Sequence, residues 1–165
     1  MENTNKINYL IFDMIKTTTF ITVRIRGIRI NINIHKDIYK MNQFVEILLL
    51  AIIVLVIDLG FLWAMRHYFN SQIRAIQGTN MSMNYLAGGL CYVVIIACIY
   101  KFIILSGASI LDAAMLGWSV YLIYELTNKA LFNSWAWLTV LIDGVWGGIL
   151  FASSTYIYKK ITSGF

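Results

Sequence analysis

The sequence contains no proline, so none of its helices is forced to kink by a lost amide hydrogen and a clash with the preceding turn. Its two cysteines, Cys91 and Cys98, stand seven apart inside one apolar run. At helical spacing they share a face but are too far apart to bridge, so they read as small apolar residues. The two histidines, His35 and His67, both lie outside the long apolar runs. Charge is scarce too: 13% of residues are charged and 59% are hydrophobic, against about 25% and about 45–50% in an ordinary soluble domain. With a mean hydropathy of +0.71, too little charge is left to cover a water-facing surface.

These absences exclude several functions. No Ser-His-Asp arrangement, HExxH or phosphate-cradling glycine loop is present, so no enzyme, metal site or cofactor is indicated. The formal net charge of +5 does not point to nucleic acid. Seven of the 13 Lys and Arg fall in the first 40 residues, and no basic stripe with interleaved aromatics occupies a polar domain.

What is present is four apolar runs: Gln43 to Met65, Tyr85 to Leu105, Ile110 to about Leu131 and Trp135 to Tyr158. About 20 residues cross a hydrocarbon core about 30 Å thick. A water-soluble bundle would need a polar stripe on every helix, and LLLAIIVLVI in the first run has no polar residue. The expected fold is therefore an all-α, up-down bundle of four transmembrane helices in residues 41–165. Short links such as SGAS at 106–109 and FNS at 132–134 make neighbouring helices antiparallel. Residues 66–84 form the longest link, with room for a short interfacial helix ending near Gly78. Trp63, Trp135 and Trp137 fall on one membrane face as expected interfacial anchors.

Lys and Arg set the expected orientation. The tail, Lys101, Lys159 and Lys160 put ten on one side, and Arg66, Arg74 and Lys129 put three on the other. Both termini are then cytoplasmic. The polar, basic tail of residues 1–40 alternates from Ile21 as ITVRIRGIRININIH, which fits a strand or a hairpin. The plainer reading is the one expected here: a poorly ordered or dispensable segment outside the domain, with Met41 as the working start. It has no apolar core of a secretory signal.

The acids carry the functional argument. Five of the eight, Glu46, Asp58, Asp112, Glu125 and Asp143, lie within or at the edges of the apolar runs. A charge near a bilayer centre costs about 2.5–3.5 kcal/mol on insertion scales. Glu46 and Asp112 sit within a turn of a helix end and can reach the interface. Asp58, Glu125 and Asp143 each lie 15 residues from the cytoplasmic end of their run, roughly 22 Å into the membrane at about 1.5 Å per residue.

Three carboxyls thus share one layer, and helical spacing adds Tyr121 and Asn128 beside Glu125 and Trp146 beside Asp143. These side chains can donate hydrogen bonds to carboxylates. The nearest bases are Arg66 and Lys129. Gly144 and Gly148 form one small-xxx-small pair and Ala113 and Gly117 another, expected to let helices approach closely.

The first-run IDLGFLW, the third-run GWSVYLIYELTN and the fourth-run WAWLTVLIDGVWGG resemble a group of predicted four-helix membrane proteins, a domain of unknown function met in bacteria and large DNA viruses. The resemblance covers about Met41 to Tyr158. It implies that Asp58, Trp63, Tyr124, Asn128, Asp143, Trp146 and Gly147 match the group's pattern. Its third motif usually reads YDLTN, so Glu125 keeps the carboxylate with one more methylene.

Two functions follow as expectations. The layer binds a proton, cation or small polar solute, or it only fixes helix packing in a structural or assembly protein. The expected surroundings are a lipid bilayer, cellular or viral, and a homo-oligomer is left open.

Overall fold

The computed structural model describes residues 21–25, 28–32 and 42–163. Its contacts divide the chain into two units, Met1–Asn42 and Gln43–Phe165. In the first, β1 (Ile21–Ile25) pairs antiparallel with β2 (Ile28–Ile32), Ile21 opposite Ile32 and Ile25 opposite Ile28. The alternation of the tail is therefore expressed as a hairpin. The expectation of a poorly ordered tail falls otherwise on residues 1–20 and 33–41, which lie outside the described residues.

The second unit is all-helical, with α1 (Gln43–Gln77), α2 (Tyr85–Ile99), α3 (Ile110–Leu131) and α4 (Trp137–Thr162). Among the described residues three helical segments are long and apolar enough to cross a membrane: Gln43–Gln77, Tyr85–Ile104 and Trp137–Thr162. The exterior fits this, since Phe44, Val56, Leu86, Val93, Ile123 and Leu141 all stand exposed. The core between the helices is built from Leu50, Val54, Ile99, Ala113, Leu150 and Phe151, all fully buried. α3 and α4 make the most extensive helix contact.

The first helix differs from its expected extent. Instead of stopping near Met65 and leaving room for a separate interfacial helix, α1 continues without a break to Gln77. At about 1.5 Å per residue its 35 residues give about 52 Å, well beyond a hydrocarbon layer of about 30 Å. No proline interrupts it, and the extension is held from its side. Tyr68 and Thr139 pair their hydroxyls at 2.9 Å, Thr139 donates to Gln72 Oε1 at 3.2 Å, and Gln72 Nε2 donates to the Ser134 carbonyl at 2.8 Å. The helix ends at Gly78, whose φ of +73° suits a residue without a Cβ.

The other ends are set locally. Asn84 caps α2 by accepting from the Ala87 amide at 3.1 Å. α2 runs on into a π-helical turn, Tyr100–Ile104, closed by the Leu105 amide donating to the Tyr100 carbonyl at 2.9 Å. Ser109 and Asp112 form a capping box on α3, which satisfies two amide donors at once. Asp112 thus has a local, end-capping role. α4 starts at Trp137 rather than Trp135 and extends to Thr162.

Candidate functional site

Asp58 lies on the inward face of α1, 5% exposed. Its carboxylate accepts from the Tyr92 hydroxyl of α2 at 2.8 Å and from the Trp146 indole of α4 at 2.7 Å. Trp146 is fixed in turn by stacking on Phe61 of α1, ring centroids 4.0 Å apart and planes 8° from parallel. One carboxylate therefore joins three helices. Two donors of this kind are what a buried carboxylate needs to offset lost hydration.

Glu125 of α3 is 1% exposed and accepts from the indole nitrogen of Trp135 at 2.7 Å. Trp135 is itself 7% exposed, so it does not serve as the interfacial anchor expected of it. Its ring is drawn inward because the carboxylate gives its N–H a partner in an apolar setting. Trp63 and Trp137 do remain outside, 69% and 66% exposed. Asp143 of α4 is half-buried and lines one cavity together with Glu125. Two ionised carboxylates in one apolar setting repel, and a proton or a cation between them relieves that repulsion.

Of the three acids predicted to share a layer, Glu125 and Asp143 line one cavity, and Asp58 is held by Trp146, one turn along α4 from Asp143. Tyr121 lines a cavity with Asp143, its ring edge-on to Phe151 at 6.4 Å. Asn128 follows Glu125 by one turn, and its amide nitrogen is buried without a partner among the described residues. Among the described residues the two bases donate to backbone carbonyls. Arg66 donates to the Trp63 carbonyl at 3.0 Å and lies over that ring at 4.8 Å. Lys129 donates to the carbonyls of Trp135 at 2.7 Å and Asn133 at 3.3 Å.

Glycines set the α3–α4 approach that makes this possible. A Cβ on Gly117 would strike the Gly147 carbonyl and, at 2.6 Å, the Phe151 ring, while one on Gly147 would strike Tyr121 and the Gly117 carbonyl. A Cβ on Gly144 would come nearest the Leu122 side chain, at 3.3 Å, and one on Gly148 the Ala114 carbonyl, at 3.2 Å. Ala113 is fully buried. The tightest crossing is therefore Gly117 against Gly147.

Two cavities reach the layer. One of about 540 Å³ holds Arg66, Gln72, Tyr124, Glu125, Trp135 and Asp143 among its lining residues. The other, of about 590 Å³, lies between α2 and α3 and also includes Tyr124 and Asp143. Asp143 therefore faces both.

Sequence reasoning missed Tyr92 and Trp135 as the donors to Asp58 and Glu125. It also missed Glu46, which accepts from the Tyr100 hydroxyl at 2.8 Å rather than simply reaching the interface. Tyr92 lies in a run with no acid and no polar periodicity, so only its place opposite Asp58 identifies it. Trp135 could have been found: it precedes α4 and follows Glu125 by ten residues, a distance the link can fold back.

A helical unit with an apolar exterior and an interior carboxyl layer defines an integral membrane protein. The chain belongs to the family of predicted membrane proteins named DUF2177, whose family model matches residues 43–158. No curated protein matches the chain, and no solved structure does.

Proposed function

We propose that the chain is a four-span membrane protein with both termini in the cytoplasm, and that its Glu125–Asp143 pair binds a proton or a cation. For the fourth span, α3 has 22 residues, about 33 Å at about 1.5 Å per residue. It packs along α4, and its shortfall in hydropathy comes from Asp112, Glu125 and Lys129, two at its ends and one turned inward. The ten-to-three bias of Lys and Arg supports the orientation.

The observation that carries the binding reading is the pair of carboxyls on the wall of one cavity, with both neighbouring bases engaged on backbone carbonyls. Such a pair holds one proton and can release it or exchange it for a cation. Asp58 fits a different task. Its two donors, Tyr92 and Trp146, occupy it, which favours a tie between α1, α2 and α4. The packing reading of the layer thus applies best to Asp58, and the binding reading to Glu125 and Asp143.

The test is a pH titration of the purified protein in detergent, following carboxyl stretch bands by infrared difference spectroscopy. Wild type is compared with Glu125→Gln, Asp143→Asn and Asp58→Asn. The expected result is a carboxyl band that titrates, disappears in the first two variants and persists in the third. Carboxyls locked in one protonation state throughout would overturn the binding reading and leave the layer as helix glue.

A further inference from the structure

The crevice between α2 and α3 has a composition that the carboxyl pair alone does not explain. Its walls are mostly apolar, with Leu90, Val94 and Ile95 from α2 and Val120 beside Tyr121 and Tyr124 from α3. α4 lends it a single side chain, Asp143. Among the described residues no lysine, arginine or histidine lines it. Leu90 and Val94 are 58% and 61% exposed, so the crevice opens sideways, at a depth where the surroundings are hydrocarbon.

Each simple occupant satisfies only part of this lining. An acyl chain matches the walls and brings no positive charge to the carboxyl pair, a lack that is costly at membrane depth. Water or an inorganic cation matches the carboxyl but wets Leu90, Val94 and Val120. A molecule joining a positive charge to an apolar body satisfies both. The volume of about 590 Å³ lies within the range of sites that take small organic molecules.

We infer that this crevice binds an organic cation, an amine whose ammonium meets Asp143 and whose apolar body lies along Leu90, Val94 and Val120. The inference rests on the reading of Glu125 and Asp143 as a proton- or cation-binding pair, and it names the class of cation. The ammonium takes the place of the proton shared by the two carboxyls and donates hydrogen bonds to Asp143. Entry is lateral, from the bilayer, since the walls are open on that side. An alkyl carboxylate is excluded by repulsion from Asp143, and an alkyl alcohol gains only the apolar contact.

The experiment titrates octylamine, octanol and octanoate against the purified full chain in detergent. Tryptophan emission is the readout, because the Trp135 indole donates to Glu125 and so reports on the pair. Asp143→Asn corrects for partition into the micelle, and Val94→Trp fills the crevice without touching an acid. Octylamine is expected to bind at least about tenfold more tightly than octanol in the wild type and to lose that advantage in Asp143→Asn. Val94→Trp is expected to weaken octylamine while its carboxyl bands titrate as in the wild type.

Equal binding of amine and alcohol by the wild type, or undiminished amine binding by Val94→Trp, overturns the inference. If Asp143→Asn fails to fold, these two comparisons still decide. Titrating carboxyl bands combined with equal amine and alcohol binding would sink the organic cation and leave the proton-binding pair standing. Carboxyls locked in one state would sink the reading beneath it.

Discussion

Trp146 reaches from α4 to Asp58 on α1, its indole N–H donating to the carboxylate at 2.7 Å across 88 positions of sequence. The same ring stacks on Phe61, three residues beyond Asp58. Trp146 therefore carries both a polar and an apolar part of the α1–α4 contact, and the two can be separated.

Trp146→Phe keeps an aromatic ring over Phe61 and removes the donor. Asp58 keeps Tyr92 as its remaining partner. Hydrogen bonds between membrane helices average about 0.6 kcal/mol and reach about 1.7, and a charged acceptor belongs toward the upper end. The expected loss is about 1–2 kcal/mol of unfolding free energy, read from denaturation in mixed micelles. Trp146→Ala, which also removes the stack, should cost clearly more. Equal costs would mean that the hydrogen bond contributes nothing.

Gly147→Ala should be among the most disruptive single-methyl changes in the chain. The added carbon meets a backbone carbonyl and the root of the Tyr121 ring, neither of which moves without shifting a helix. Overpacking of this kind costs about 1–3 kcal/mol, and here it also separates Glu125 from Asp143. Gly144→Ala, coming nearest the Leu122 side chain, should cost less. Gly60→Ala meets nothing within 4 Å and should be neutral or stabilising, as expected where a helix gains alanine for glycine. Thermal unfolding in detergent orders the three, and any other order would contradict the crossing at Gly117 and Gly147.

Much of this arrangement was legible in the sequence because membrane helices constrain it strongly. The apolar runs located the helices, since only a continuous helix satisfies its amides in hydrocarbon. Acids 15 residues from one end of their runs gave a shared depth. The structure sets Glu125 and Asp143 on one cavity wall and ties Asp58 to Trp146, one turn along α4 from Asp143. Their donors were less legible. Tyr92 has no local pattern around it, and Trp135 looked like an interfacial residue because its position at a run's end is where such residues sit. The α1 extension was also hidden. Its polar residues Tyr68 and Gln72 read as link sequence until Thr139 and Ser134 stand beside them. The glycine that governs the α3–α4 crossing, Gly147, stood next to a more familiar GxxxG pair.

Glu125 and its donor predict a contrast between two substitutions. Glu125→Gln keeps an acceptor for the Trp135 indole and should fold with little loss, while giving up the proton shared with Asp143. Glu125→Ala leaves a buried indole N–H without a partner, at about 1–3 kcal/mol for an unsatisfied group. Tryptophan emission distinguishes them: it should stay near the wild-type position in the Glu125→Gln protein and shift in the Glu125→Ala protein. Identical shifts in both would mean that Trp135 does not depend on that oxygen.

The fourth span makes a prediction of parity. If α3 crosses the bilayer with α1, α2 and α4, the two chain ends lie on one side; with three crossings they lie on opposite sides. A single cysteine placed at Asn42 and another at Ser163, each in a background with Cys91 and Cys98 replaced by alanine, can be probed with a membrane-impermeant thiol reagent in sealed inverted vesicles. Both should react there and neither in right-side-out vesicles, because the basic residues collect with the two ends. Labelling of one end in each preparation would remove α3 from the membrane-spanning set. It would also leave Glu125 to be explained without a bilayer around it. Labelling of both ends from the outer side would keep four spans and reverse the orientation, which would then show that ten positive residues against three do not decide the topology of this chain.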